Sequence, residues 1–498
     1  MTPFLSLLIL IPLAGSPLSY LLVKRDRASG IAATLVIALV TLGLAVYSFW
    51  KVYANVPGLG QYDLVGSYQW VGTSNFTVNL LFGVDGLSSP LVLATAALTV
   101  FAIVGSRRLI TQGSSPYFAL LLLFEGAIMG VFTSLNLVVF YVFWELVMIP
   151  MFFLIGVWGG DRRRYAAMKF MIFIFAGSTI MLLAFLAAYL DVSPFSFDIT
   201  SFASNGVPAI PDGLQYFPFF ASIIGFAVKL PMVPFHSWLP DAYTQAPAPV
   251  AVLLAGVQSA MGGYGIIRIS IGLFPYAAHE WAWLFLALGI VTMFYGAVVA
   301  LLAKELKRMF AYTSLNHMGF VMFGAFATVV SANALGMEGA IFQMFVHAFT
   351  AGMLFMVAGY IQHQAGTTEI SKLKGLQNVM PRTAGLLVAA SAAAMALPPF
   401  ASFLAELTVI AGGIAVTPYT AVTVLVPVLT GGYLLWMIRR VVLTPAPEHF
   451  EVRDMPLADA ATLAMYLVPL IILLVFSFLI FTPAAPVAQW AIHLTGGA

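Results

Sequence analysis

The sequence contains no cysteine, which removes disulfides, thiolate metal sites and thiol catalysis together. It is also poor in charge. Asp, Glu, Lys and Arg make up 8% of the 498 residues, against about 25% in a soluble protein, so the chain cannot cover a water-facing surface. The net charge of +2 is spread over cations that stand singly or in twos and threes between apolar runs, which argues against a nucleic-acid partner. No G-x-G-x-x-G precedes a helix, no phosphate-binding loop occurs and no paired histidines have metal-ligand spacing. No site for flavin, haem, an iron–sulfur cluster or ATP is legible. The opening MTPFLSLLILIPLAG lacks the basic stretch of a cleavable signal and reads as a first membrane span.

What the chain has is length of apolar run, with 61% hydrophobic residues. A hydrocarbon core near 30 Å needs about 20 apolar residues per helix. Read in that unit, the sequence predicts an all-α polytopic membrane protein of fourteen transmembrane helices. β-Barrel strands would be shorter and alternate in polarity. With the N-terminus outside, every Lys and Arg except Lys51, Lys229 and Arg268 falls in the inner connections, as retention of basic loops requires. The longest polar insertion, 54–86, has the glycine and β-branched content of a surface hairpin.

Two spans carry prolines that should interrupt them. The seventh contains VKLPMVPFHSWLPDA and the twelfth MALPPFASFLAEL. Pro234-Phe235-His236-Ser237-Trp238-Leu239-Pro240-Asp241 aligns without gaps on Pro399-Phe400-Ala401-Ser402-Phe403-Leu404-Ala405-Glu406, 165 residues on. An odd number of helices separates the breaks, so the second copy is inverted. Paired broken helices in inverted repeats point to an ion pathway. The expected organisation is helices 1–3 with an external hairpin over 1–110, a five-helix repeat over 116–275 (helices 4–8), its inverted partner over 280–441 (helices 9–13), and helix 14 over 442–498.

Ionisable groups inside the spans are costly, at least ~2.5–3.5 kcal/mol each on insertion scales. Glu125, Glu145, Lys229, His236, His317, His347 and Glu406 lie at that depth. The bland reading makes Glu145 a fixed partner of Lys229 and each histidine a helix-to-helix hydrogen bond. A series across several helices favours function instead, since imidazole near neutrality can pass a proton either way. His236 sits in the first break, where it could simply cap freed backbone. His279 and Glu280 read as an ordinary interfacial pair.

VKLPMVPFHSWLPDAYTQAPAPVAVLLAGV followed by MGGYGIIR, together with LKRMFAYTSLNHMGF, FWELVMIPMFFLIGVWGG and GVDGLS at 83–88, resembles the antiporter-like subunits of NADH–quinone oxidoreductase (respiratory complex I) and its relatives over essentially the whole chain. The acidic Glu406 is similar to the branch called subunit M, or chain 4 in the photosynthetic version; its sister subunits and Mrp-type antiporters generally have lysine there. The resemblance implies proton translocation driven by quinone reduction elsewhere in the complex. Glu145 would be the input glutamate, Lys229 its partner, His317 and His347 the relay, and Glu406 the terminal exchanger. One departure stands out: the family's central eighth-helix lysine is Ala260 here, and water held by Gln258, Ser259 and Tyr264 is the expected bridge.

The same resemblance implies no cofactor in this chain, with quinone, flavin and iron–sulfur clusters in partner subunits. The implied partners are other membrane-arm subunits and the lipid bilayer. The membrane would be a bacterial or archaeal plasma membrane, with the thylakoid as the alternative. A Mrp-type cation/proton antiporter or a membrane-bound hydrogenase is the competing assembly.

Overall fold

A backbone in hydrocarbon must satisfy its polar groups within its own segment, and the apolar runs of this chain do so as helices. The computed structural model describes residues 4–72, 77–192, 195–204, 207–446 and 452–496. Among them are twelve helices long and apolar enough to cross a membrane, from Phe4–Arg25 to Leu457–Val475; the chain is an integral, multi-pass membrane protein. Helices Phe4–Arg25 and Arg27–Asn55 pack on each other at the edge and turn Leu10, Leu21, Val36 and Trp50 outward. Helices Ala248–Ile271, Leu306–Ser331 and Leu335–Ala365 form the centre and are buried almost throughout.

The insertion at 54–86 holds two antiparallel strands, Asp63–Gly72 and Thr77–Val84, in register Tyr68 to Leu80. Its base is tied down by Asp198, whose carboxylate accepts from Asn79 at 2.9 Å and from Asn136 at 2.7 Å. Asn136 also caps helix Leu137–Trp158 through its own side-chain oxygen, so one polar cluster positions three segments.

Two spans are interrupted where prolines fall. Helix Tyr216–Lys229 stops and the chain resumes as Leu239–Gln245. The groups freed between them find side-chain partners: the Trp238 indole donates to the Val228 carbonyl at 2.9 Å and Val233 N–H to the Thr292 hydroxyl at 3.2 Å. Helix Pro381–Ala394 likewise stops and resumes as Ser402–Ile414, with Ala401 N–H donating to the Leu470 carbonyl of another helix at 2.7 Å. Both breaks contain a cis X–Pro bond, at Val233–Pro234 and Pro398–Pro399.

Two features go beyond what run length and proline positions suggest. The span around residue 260 contains two π-helical stretches, Leu254–Gln258 and Ile266–Ile271, a geometry concentrated at functional sites. After Leu457–Val475 comes a separate helix, Phe478–Leu494, where one terminal helix is expected. Its run is short and holds Pro483 and Pro486, which hides it from a search for 20-residue spans. It buries Ile480, Ala484, Val487 and Ala488 and sets Trp490 over Gly272 and Gly60.

Candidate functional site along a buried polar axis

The proline break fixes the first member of the axis. Lys229 is the last residue of its helix, and its ammonium stands at the end where unsatisfied carbonyls favour a cation. The side chain is 1% exposed. Its Nζ lies 3.8 Å from the centre of the Trp144 ring and 3.4 Å from the Trp144 carbonyl oxygen. Phe226 and Phe140 complete an aromatic wall around that indole.

Glu145 follows Trp144 on the same helix, so its side chain leaves about 100° around the axis. Among the described residues, no ion pair within 4 Å joins Glu145 to Lys229. Glu145 lies against Tyr141 one turn back, and its Oε1 is buried without a hydrogen-bond partner. The lysine thus occupies a seat one residue before the expected one, on a ring instead of a carboxylate.

The second half of the axis is connected. His317, on Leu306–Ser331, and His347, on Leu335–Ala365, approach through their Nδ1 atoms at 3.0 Å with rings nearly perpendicular. His317 Nε2 lies 3.5 Å from a carboxylate oxygen of Glu406, which the resumed helix Ser402–Ile414 presents. All three are less than 5% exposed. Small residues bring these helices together: a Cβ on Gly339 would stand 2.7 Å from the Val409 backbone nitrogen. Around the triad, Tyr433 donates to Thr313 at 2.9 Å and Asn316 to Thr430 at 2.8 Å.

Between the halves lies Ala260. Gly256 packs on the backbone of Ala348 and Gly263 on the sulfur of Met344, which brackets position 260 beside the segment that carries His347. Of the three groups expected to hold water there, one is free to do so. Gln258 is fully buried with neither amide atom bonded. Ser259 donates to the Ala255 carbonyl at 2.7 Å. Tyr264 packs against Phe132 and Phe140, with the Arg268 guanidinium 5.6 Å from its ring.

Glu125 is fully buried on Ser114–Thr133, and neither carboxylate oxygen has a partner. His236 rests its ring edge on Tyr295 and leaves Nδ1 unpartnered. Among the described residues no three His, Asp or Glu side chains gather as metal ligands.

Sequence reasoning passes over one charged cluster. Arg268 donates to Asp85 at 2.5 Å and to the Tyr62 hydroxyl at 3.1 Å, with both charges buried. Asp85 in turn accepts from the Leu87 and Ser88 backbone. Arg268's place among the exceptions to the basic-loop pattern is the available signal, and GVDGLS supplies its partner.

Comparison with known proteins places these features. Residues 134–430 match the family described as "NADH:quinone oxidoreductase/Mrp antiporter, TM". The chain is 36% identical to NADH-quinone oxidoreductase subunit M of Rickettsia prowazekii, over 83% of this chain and 82% of that one. It is 35% identical to F(420)H(2) dehydrogenase subunit M of Methanosarcina mazei, over 91% of each. Its fold superposes on a chain of respiratory complex I from Thermus thermophilus with a TM-score of 0.87 at 26% identity, covering 99% of this chain and 100% of that chain.

Proposed function

The chain belongs to the NADH:quinone oxidoreductase/Mrp antiporter transmembrane family, and on that premise we propose that it carries protons in the membrane arm of a redox-driven oxidoreductase of the complex I type. It sits with other membrane-arm subunits, and the quinone, flavin and iron–sulfur clusters belong to partners. The twelve long helices and the two interrupted spans make fourteen crossings, arranged as inverted five-helix repeats over 116–275 and 280–441, flanked by 1–110 and 442–498.

The observation that carries this reading is the buried chain His347–His317–Glu406, linked at 3.0 and 3.5 Å. Three titratable groups in hydrogen-bonding reach have little structural return in a dry interior, where each is expensive, and they can hand a proton along. Lys229 supplies the other end. Its seat on Trp144 gives a cation–π contact worth ~2 kcal/mol when desolvated, and Glu145 is the next side chain on that helix. An ammonium that leaves the ring for the carboxylate exchanges one stabilising contact for another, so a modest change of field selects between the two seats. Moving one charge against 100 mV takes ~2.3 kcal/mol, the same scale as that exchange. Gln258, with both amide atoms unsatisfied, demands buried water, and such water spans the position where Ala260 has no proton to offer.

The test is the ratio of protons pumped to electrons transferred in reconstituted complexes. Glu406→Gln or Lys229→Ala should lower it, and an unchanged ratio in both removes the assigned roles. The family's description names Mrp antiporters as well, which supports a second reading as a subunit of a gradient-driven cation/proton antiporter; a membrane-bound hydrogenase is the third candidate assembly. Co-purification with iron–sulfur subunits, and the electron acceptor of the purified complex, separate the three.

A further inference from the structure

On the basic side of the molecule a crevice of about 750 Å³ opens between the segment that follows the first break and the helices of the second half. Its lining includes Asp241, Glu305, Lys307, Arg308 and Glu369. Asp241 is engaged by Lys169 at 2.7 Å and by Arg308 at 3.9 Å, and Glu369 by Lys372 at 2.7 Å. Among the described residues, Lys307 has no carboxylate within ion-pair reach. It stands in the first turn of Leu306–Ser331, is 3% exposed, and donates to the Ala246 carbonyl at 3.1 Å.

The same helix carries His317 ten residues on, about 15 Å along its axis. Ser314 lies between, and its hydroxyl is fully buried with no partner. At 100° per residue, Ser314 falls about 20° from Lys307 around the helix and His317 about 60° further. These three polar side chains therefore share one face that leads from the crevice to the histidine pair. A buried hydroxyl without a protein partner calls for water, and water at Ser314 would join the crevice to the imidazole.

We infer that the face Lys307–Ser314–His317 is an inward access route to the second half of the axis, with Lys307 as the residue that selects against metal cations at its mouth. The ammonium of Lys307 faces an entering ion with a positive charge whose partner is a carbonyl, not a carboxylate. A hydrated sodium ion would have to approach that charge closely, whereas a proton can pass by transfer between waters without any heavy cation moving past it. Charges fixed at narrow points in this way set ion selectivity in membrane pores. The inference rests on the proton-carrying reading above.

The absence of cysteine makes the test direct, because an introduced thiol is the sole thiol of this chain. Ser314→Cys in the intact complex, in vesicles exposing the inner face, is treated with methyl methanethiosulfonate (neutral) or 2-aminoethyl methanethiosulfonate (cationic), and labelling is read by mass of the chain. The expected result is reaction with the neutral reagent and at least ~10-fold slower reaction with the cationic one, as an electrostatic barrier requires. Adding Lys307→Met should bring the two rates together, and adding Lys307→Arg should leave them apart. A Ser314→Cys thiol that neither reagent reaches from the inner face overturns the route. A rate ratio that Lys307→Met leaves unchanged overturns the selecting role. Labelling does not depend on pumping, so this result and that of Glu406→Gln can fail separately.

Discussion

The two halves of the buried axis solve the same problem differently. Around Lys229 the charge is held by an aromatic face and a carbonyl, and the nearest candidate carboxylate, Glu145, is turned aside. Around Glu406 the carboxylate meets an imidazole, which meets a second imidazole, with hydroxyls and amides of neighbouring helices close by. The first arrangement stores a charge; the second relays one. The difference teaches that family residues matched by position need not be matched by contact. Lys229 and Glu145 occupy the expected helices, yet the residue just before that carboxylate, Trp144, receives the ammonium.

A variant that should unfold the protein without touching either half provides the reference. Arg268→Ala strands Asp85 as an unpaired buried charge, which costs ~3–5 kcal/mol. Thermal melting of the complex should show a larger loss than any variant of the axis produces, while protons per electron in the surviving complex stay normal. Next comes the relay. Glu406→Gln keeps shape and removes the titratable group, and coupled turnover should fall about tenfold or more, equal to at least ~1.4 kcal/mol on the barrier. Turnover equal to wild type would reduce the triad to packing.

Smaller still is the storage half. Trp144→Leu removes the ring and with it ~0.5–2 kcal/mol of cation–π stabilisation. A map of the variant should show Lys229 moved to Glu145; an ammonium that keeps its place over the substituted side chain would mean the carbonyl alone holds it there. The smallest effect concerns Asp454, outside the membrane. Burial pushes its carboxyl up, but backbone N–H groups of Arg382, Thr383 and Met455 and the Thr383 hydroxyl outweigh that and hold it below its ordinary value of 3.8. A lowered folded value means the cap stabilises above pH 3.8 and fades as pH falls through that lower value. Asp454→Asn should therefore cost about 1 kcal/mol at pH 7, read by melting temperature, and the difference from wild type should shrink below pH 3.8.

How much of this can be read from residues alone depends on the kind of information involved. Helix positions follow from run length and proline, which are local, and the interruptions at 230–238 and 395–401 sit where Pro231, Pro234, Pro398 and Pro399 do. The candidate charges stand out because each is costly in its surroundings. Contact is another matter. Nothing in VFWELVMIP says whether Trp144 or Glu145 faces Lys229, since one residue changes direction by about 100°. The pair Asp85–Arg268 joins residues 183 apart in the chain. Proximity in sequence puts Tyr264 at the gap left by Ala260, but its ring turns toward Phe140 and Arg268. Phe478–Leu494 escapes a reading by run length because its prolines and its shortness leave no span of the required size.

Helix Leu335–Ala365 has a mechanical consequence. It is the longest helix among the described residues, and it touches its neighbours through glycines with no clearance: a Cβ on Gly336 would meet the Gly324 carbonyl oxygen, one on Gly359 the Ala248 side chain, and one on Gly352 the Tyr466 ring. Interlocked along that much of its length, it behaves as a fixed spindle, and sliding it would collide at several levels at once. Cycles of charge movement through His347 must then be completed by rotamer changes and solvent rearrangement beside a stationary rod, which makes fast turnover compatible with a tightly packed interior.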